Sequence, residues 1–143
     1  MENNRLQINE FDNSIHRGQV IELWHNVFGY EAAHNSPEVV IDKKIQIKDG
    51  LFFVAQIDQK VIGTVMAGYD GHRGWIYSIA VHPEYRKQGI GTELLSYIQR
   101  KLEDLGCLKV NLQIMEGNEG VQKFYLVNGF SVEQRISMGK KLY

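Results

Sequence analysis

The sequence predicts a mixed α/β fold in which helices pack against one central sheet. Apolar residues alternate, or run together over short segments, in the way that is typical of strands, and between these segments they recur at helical spacing. The element order β-α-α-β-β-β-α-β-α-β-β predicts a mixed sheet of about six to seven strands flanked by four helices. No repeat or low-complexity tract interrupts the 143 residues, so we expect a single domain over residues 1–143.

The chain is predicted to begin with a strand and a core helix. Leu6 and Ile8 alternate with polar neighbours, as in a short strand. Asp12 or Asn13 then caps a helix whose apolar face ends near Gly29.

A second helix and a hairpin follow. Ser36 and Pro37 combine a cap with a first-turn proline, which predicts a helix start after a polar loop at 30–35. The apolar runs 51–57 and 61–69 are joined by Asp58-Gln59-Lys60 and predict an antiparallel hairpin.

The stretch from residue 74 to residue 106 predicts a strand, a basic glycine-containing loop and a helix. The run 75–81 is rich in aromatic and β-branched residues, which indicates a strand buried on both faces, and Pro83 ends it. After the loop, leucine and isoleucine recur at helical spacing until Gly106, which suits a helix C-terminus.

The start of that helix is a candidate anion site. The first backbone N–H groups of a helix have no intrahelical acceptor, and the helix dipole places partial positive charge there. Arg86 and Lys87 add charge at the rim, and the amides that an anion would approach belong to Gln88, Gly89, Ile90, Gly91 and Thr92. An ordinary helix start with solvated basic residues is the alternative interpretation.

The C-terminal third is predicted to contain a strand, a helix and a last pair of strands. Val110, Leu112 and Ile114 alternate as a strand, and a helix runs from about Glu119 to Asn128. The last two strands are expected at Phe130 to Val132 and over 136–142. Cys107 has no second cysteine to pair with, and we expect it to be a small packed residue.

The glycine loop resembles a known cofactor motif. It lacks the spacing of a nucleoside-triphosphate loop and the third glycine of a dinucleotide fingerprint. Arg86-x-x-Gly89-x-Gly91 instead resembles the pyrophosphate-binding motif of the GNAT superfamily of N-acetyltransferases. The string VMAGYDGHRG, at 65–74, more narrowly resembles the bacterial YpeA-like acetyltransferases. The resemblance runs nearly end to end and implies a GNAT-like fold, acetyl-CoA as cosubstrate, and direct acetyl transfer to an amine.

The resemblance also implies roles for individual residues. The pantetheine arm would enter a gap between two splayed strands and bond the backbone of Ile79, Ala80 and Val81. Tyr125 matches the tyrosine thought to protonate the departing thiolate, and we assign it that role because of its register in the motif. Packing of the last helix onto the sheet is the alternative. Asn118 matches a residue that often bonds the cofactor, and it also suits a helix N-cap.

The acceptor site is less defined by the sequence. Asp70 and His72 stand in the loop before the central strand, and Glu116 lies beyond the facing strand. Each is a candidate base, but a solvated loop residue is the simpler interpretation, and a water chain that ends at one of the three is the alternative. The histidines have no metal-ligand spacing, so no metal is expected.

Composition limits the partners. The formal net charge of −1 does not predict nucleic-acid binding, and no apolar run approaches 18 residues, so no membrane partner is expected. We therefore expect a cytoplasmic enzyme whose partner is a small-molecule or peptide amine acceptor, and the final strands admit a homodimer. A non-catalytic acetyl-CoA sensor and a plain nucleotide-binding domain are the alternatives.

Overall fold

A computed structural model describes residues 5–28 and 33–143, and the chain forms two compact units, Met1–Leu112 and Gln113–Tyr143. The first unit contains a five-stranded sheet and three α-helices. Its strands are β1 (Leu6–Glu10), β2 (Phe52–Ile57), β3 (Lys60–Tyr69), β4 (Gly74–Val81) and β5 (Val110–Leu112). Its helices are α1 (Asn13–Val27), α2 (Pro37–Ile47) and α3 (Ile90–Asp104), and the second unit contains α4 (Glu119–Val127). Short 3-10 turns lie at Ala33–Asn35 and Pro83–Tyr85.

Strand order in the sheet follows sequence order, from β1 to β5. The pairs β1–β2, β2–β3 and β3–β4 are antiparallel, and the pair β4–β5 is parallel. The crossover through α3 makes the parallel pair possible, because two parallel strands cannot be joined by a tight turn. The prediction of a mixed sheet with four α-helices is therefore correct for the described residues.

The predicted helix caps form. The Asp12 carboxylate accepts the backbone N–H of Ser14 at 2.9 Å, and the Ser36 hydroxyl accepts that of Val39 at 3.4 Å. Pro37 occupies the first turn of α2, where a missing N–H costs nothing. The predicted end of the first helix near Gly29 and residues 30–32 of the predicted loop lie outside the described residues.

The hairpin between β2 and β3 is confirmed. Ile57 pairs with Lys60, and the two residues between them have positive φ, 51° at Asp58 and 67° at Gln59. Two left-handed residues in succession define the tight turn whose twist matches that of the flanking strands.

Alternation along β3 assigns the two faces of the sheet. Thr64 and Met66 face the first two helices, because the Trp24 indole of α1 donates to the Thr64 hydroxyl at 2.9 Å and Met66 packs in the core cluster with α1 and α2 residues. Gly63 faces α3, since a Cβ at that position would lie 3.1 Å from the side chain of Leu94. Helices therefore cover both faces.

The predicted strand count is too high. Residues 130–143 contain no strand, and β5 ends at Leu112, so that Ile114 is outside it. Val132, Ile136 and Leu142 are exposed by 70% or more. Their alternation suits a strand, but a strand needs a hydrogen-bonded partner, and a two-stranded hairpin alone is marginally stable at best.

We predict that Trp24→Phe will lower the free energy of unfolding by about 1–3 kcal/mol, because the buried Thr64 hydroxyl loses its donor. Urea unfolding of Trp24→Phe, Thr64→Val and the double variant measures the coupling. The double variant should lose less than the sum of the two single losses, since it leaves no buried polar atom unpaired. Additive losses would contradict the prediction.

Candidate active site

The loop after β4 is held by its own backbone. The N–H of His82 donates to Ile62 of β3 at 2.8 Å, and the 3-10 turn at Pro83–Tyr85 then turns the chain. The Arg86 guanidinium returns to the strand end, where its Nε donates to the Val81 carbonyl at 3.2 Å. Arg86 thus fixes the loop to β4 in addition to supplying positive charge at the rim.

The first turn of α3 presents free backbone amides. Gly89 is the N-cap, has φ 81°, and makes no side-chain capping bond. The first helical bond runs from Glu93 N to Gly89 O at 3.0 Å, so helix geometry leaves the amides of Ile90, Gly91 and Thr92 without an intrahelical acceptor. A Cβ built at Gly89 meets nothing within 4 Å, so the space beside the N-cap is open. This arrangement suits an anion such as a diphosphate.

A cavity of about 350 Å³ borders the same turn. Its lining combines the helix start with the outer strands: Leu6, Ile57, Gln88, Gly89, Ile90, Thr92 and Glu93. The loop therefore has room beside it for a group larger than a phosphate.

Beside this loop, β4 has an open edge. β5 pairs with β4 only from Gly74 to Ile76, whereas β3 pairs with it as far as Val81. Successive backbone N–H groups of a strand point to opposite sides of it. Because the N–H of His82 points toward β3, those of Ile79 and Val81 point away from β3, toward the edge where β5 has ended. Within residues 5–28 and 33–143, β4 therefore has no strand partner beyond Ile76 on the side away from β3, and this edge carries backbone donors.

A bulge lies where this open edge begins. Ile76 pairs with Ala67 and Ser78 with Met66, so that Tyr77 is an extra residue in β4. Its side chain is 62% exposed. The prediction that this strand is buried on both faces is therefore wrong, because the bulge turns Tyr77 outward and β5 no longer covers the strand there.

An ion pair between a buried lysine and a half-buried aspartate lies next to Tyr77. Lys44 of α2 is 8% exposed, and its Nζ donates to Asp49 Oδ2 at 2.7 Å and to the Ala67 carbonyl. The same Nζ is 5.8 Å from the centroid of the Tyr77 ring. These residues are not among the candidates predicted from the sequence. Gly68, inside a predicted strand, could have indicated them, because a glycine there often marks a place where another group lies close to the backbone.

Asp70 and His72 lie in the turn between β3 and β4. Asp70 Oδ1 accepts the backbone N–H groups of Arg73 and His72, each at 2.8 Å, and these bonds hold the pKa of the Asp70 carboxyl below its ordinary value. Both side chains are exposed. Asp70 is therefore a fixed negative charge at neutral pH and a weak base.

The remaining predicted site residues, Asn118, Tyr125 and Glu116, belong to the second unit. Asn118 caps α4, since its side chain accepts the backbone N–H of Val121 at 3.3 Å. Tyr125 is 7% exposed and packs edge-on against Phe124 and Phe130. Burial raises the pKa of the Tyr125 phenol to about 12, so it carries its proton at neutral pH. Glu116 is exposed.

Within residues 5–28 and 33–143, no group of three His, Cys, Asp or Glu side chains is arranged to hold a metal ion. None of the helices in these ranges is long and apolar enough to span a bilayer.

Known proteins share this architecture. A family model described as the acetyltransferase (GNAT) family matches residues 18–130. The fold is similar to that of PaiA N-acetyltransferase from Thermoplasma acidophilum in complex with coenzyme A, with a TM-score of 0.80, 20% identity and 92% of each chain covered.

Two further solved structures are similar in fold. Aminoglycoside N-acetyltransferase AAC(6')-Iy in complex with CoA has a TM-score of 0.76 and 19% identity, with 96% of this chain and 95% of that chain covered. Ard1 from Thermoplasma volcanium has a TM-score of 0.79 and 19% identity, with coverages of 90% and 84%. At such identities the likeness establishes the fold, and the predicted fold class is confirmed.

We predict that the burial of Tyr125 makes stability fall in alkali. Because the folded-state pKa of about 12 exceeds the ordinary 10.0, the stability linked to the protonated phenol is complete below pH 10 and is lost as the pH rises toward 12. The loss should reach about 1.4 kcal/mol at pH 11. Urea unfolding of wild type and Tyr125→Phe at pH 8 and pH 11 measures it, and equal losses in the two proteins would contradict it.

Proposed function

Because the chain belongs to the acetyltransferase (GNAT) family, we propose that it is an acetyl-CoA-dependent N-acetyltransferase acting as one domain over residues 1–143. It moves an acetyl group directly from the thioester to an amine acceptor. The observation that carries the proposal is the uncapped first turn of α3 beside the open edge of β4. The narrower YpeA-like assignment is part of the proposal and is supported by the string at 65–74, which supplies much of β3 and the turn into β4.

The residues present fit the two polar parts of coenzyme A. The diphosphate would lie on the first turn of α3, held by backbone amides and by nearby positive charge. The residues assigned to it are Arg86, Lys87, Gln88, Gly89, Ile90, Gly91 and Thr92. The amide-containing pantetheine arm would run along β4 at Ile79, Ala80 and Val81 as an added strand does, because an open strand edge bonds amides without needing a particular side chain.

Acetyl-CoA supplies an activated acetyl group when bound. A backbone N–H at Ile79 or Val81 would polarise the thioester carbonyl, and one such donor is typically worth about 2.7–4 kcal/mol in the transition state. The amine nitrogen forms the new C–N bond, the C–S bond breaks, the amine loses a proton, and the thiolate gains one.

Tyr125 is assigned the proton donor to the thiolate. Its phenol stays protonated at neutral pH, as a donor must. We assign Asn118 to cofactor binding through its side-chain NH2 group, because its Oδ1 is used to cap α4. For the acceptor proton, Asp70 is too weak a base at its lowered pKa to act alone, so we assign that proton to a water chain that ends near His72 or Glu116.

We predict that Gly89→Glu weakens acetyl-CoA binding at least about tenfold. A carboxylate at the start of α3 repels the diphosphate and competes with it for the backbone N–H groups, so hydrogen bonds to a charged ligand are lost. Isothermal titration with acetyl-CoA measures the dissociation constant, and ADP serves as the competing ligand. Competition by ADP at full acetyl-CoA affinity would favour a plain nucleotide-binding domain.

Two variants separate charge from backbone strain in that experiment. Gly89→Ala introduces the strain of a positive φ without the charge, and Gly106→Glu introduces both at φ 90° beyond the other end of α3. Neither position has an atom within 4 Å of an added Cβ. Both variants should bind acetyl-CoA more tightly than Gly89→Glu, and equal weakening in all three would contradict the loop assignment.

We predict that Tyr125→Phe lowers kcat about tenfold or more and leaves acetyl-CoA affinity unchanged, because the thiolate loses its proton donor and the ring remains. Free-thiol release with a saturating amine measures kcat. Tyr97→Phe is a control, since that ring packs edge-on against Phe53 in the first unit. Wild-type turnover in Tyr125→Phe would exclude the acid role.

A further inference from the structure

Gly63 of β3 lies where the start of α3 meets the end of β4. A Cβ built at Gly63 would lie 3.1 Å from the Ala80 carbonyl oxygen of β4 and 3.1 Å from Leu94 Cδ1 of α3. Both distances are shorter than an ordinary van der Waals contact, so a methyl group there would displace the strand, the helix or both. The absence of a side chain at Gly63 therefore allows the two elements to approach each other.

This contact joins the two parts of the proposed cofactor site. Gly63 pairs with Val81, the last residue of β4. Leu94 follows Glu93, whose N–H closes the first turn of α3 on the Gly89 carbonyl. Because Leu94 is fully buried, the start of the helix cannot move on the sheet without moving this side chain. The contact at Gly63 thus sets how far the first turn of α3 lies from β4.

A second contact of the same kind lies at the other end of α3. A Cβ built at Gly74 would lie 3.2 Å from Leu102 Cδ1 and 2.8 Å from the Cys107 sulfur. Leu102 is also fully buried, and it lies about 12 Å along the helix from Leu94. α3 therefore packs closely on the sheet at two glycines, and Gly63 is the one at the end with the candidate anion site.

One cofactor molecule has to occupy both parts of the proposed site. Its diphosphate binds the amides at the start of α3, and its pantetheine arm binds the open edge of β4. Two binding groups joined by a linker strengthen each other only when the linker matches the distance between their sites. The affinity for the whole molecule therefore depends on the spacing between α3 and β4, whereas the affinity for either part alone does not.

We propose that Gly63 is a positioning residue that sets the spacing between the diphosphate and pantetheine parts of the cofactor site. This inference rests on the proposed function. Gly63 acts through Leu94, which rests on it and places the start of α3. A methyl group at position 63 leaves each part of the site able to bind its own portion of the cofactor and weakens only a molecule that spans both.

Isothermal titration with ADP and with acetyl-CoA tests this, because ADP contains a diphosphate and lacks the pantetheine arm. Gly63→Ala should keep ADP affinity within about twofold of wild type and lower the ratio of acetyl-CoA affinity to ADP affinity about tenfold. An unchanged ratio would overturn the proposal, and so would an equal loss of affinity for both ligands. A wild-type protein that binds acetyl-CoA no more tightly than ADP would instead remove the proposed function.

Two further variants test the route through Leu94. Gly63→Ala/Leu94→Val adds one carbon and removes one, so the packed volume is conserved, and the ratio should return to within about threefold of wild type. Leu94→Val alone loosens the same contact and should lower the ratio about threefold, which decides the question if Gly63→Ala does not fold. A wild-type ratio in Leu94→Val, or no recovery in the double variant, would overturn the proposal.

Matched controls separate spacing from stability. Gly74→Ala and Leu102→Val make the same changes at the other end of α3. Both should lower the thermal midpoint, as the test variants do, and leave the affinity ratio unchanged. A fall in the ratio as large as that in Gly63→Ala would show that loss of stability alone changes it, and would overturn the proposal.

Discussion

The fold depends on the unequal pairing of β4. One side of this strand pairs with β3 from Gly74 to Val81, with a bulge at Tyr77, and the other side is bonded to β5 for three residues. A strand that keeps one partner remains fixed, and the edge that loses the other partner offers backbone donors in a known direction. The open edge, the bulge at Tyr77 and the loop that Arg86 ties to Val81 all follow from this arrangement.

Two kinds of positive site lie at opposite ends of β4. At its C-terminal end the positive character comes from the backbone, through the uncapped start of α3. Nearer its start, the positive charge is the buried ammonium of Lys44. It donates hydrogen bonds to Asp49 and to the Ala67 carbonyl and lies near the Tyr77 ring. Lys44 therefore has a structural role. Removing one partner of such an ion pair lowers the free energy of unfolding by more than the intact pair contributes to it, because the other charge is left without a partner.

Local chemistry explains why much of the fold could be predicted. The caps at Asp12 and Ser36, the left-handed turn at Asp58-Gln59 and the glycine at the start of α3 each depend on residues within a few positions. The glycine loop could be placed at the start of a helix for the same reason, because a helix start is a local property. The prediction of two last strands was wrong, because the alternation at 130–142 does not specify a hydrogen-bonded partner.

The sequence by itself determined the family, the order of the elements through α4 and the position of the glycine loop, because these depend on short-range spacing. Only the tertiary structure decided that β5 leaves β4 after Ile76, that the register slips at Tyr77, and that Lys44 meets Asp49 beneath that ring. These features join residues from α2, β3 and β4. Contacts between segments so far apart in the chain depend on how whole elements pack, and no local pattern records that packing.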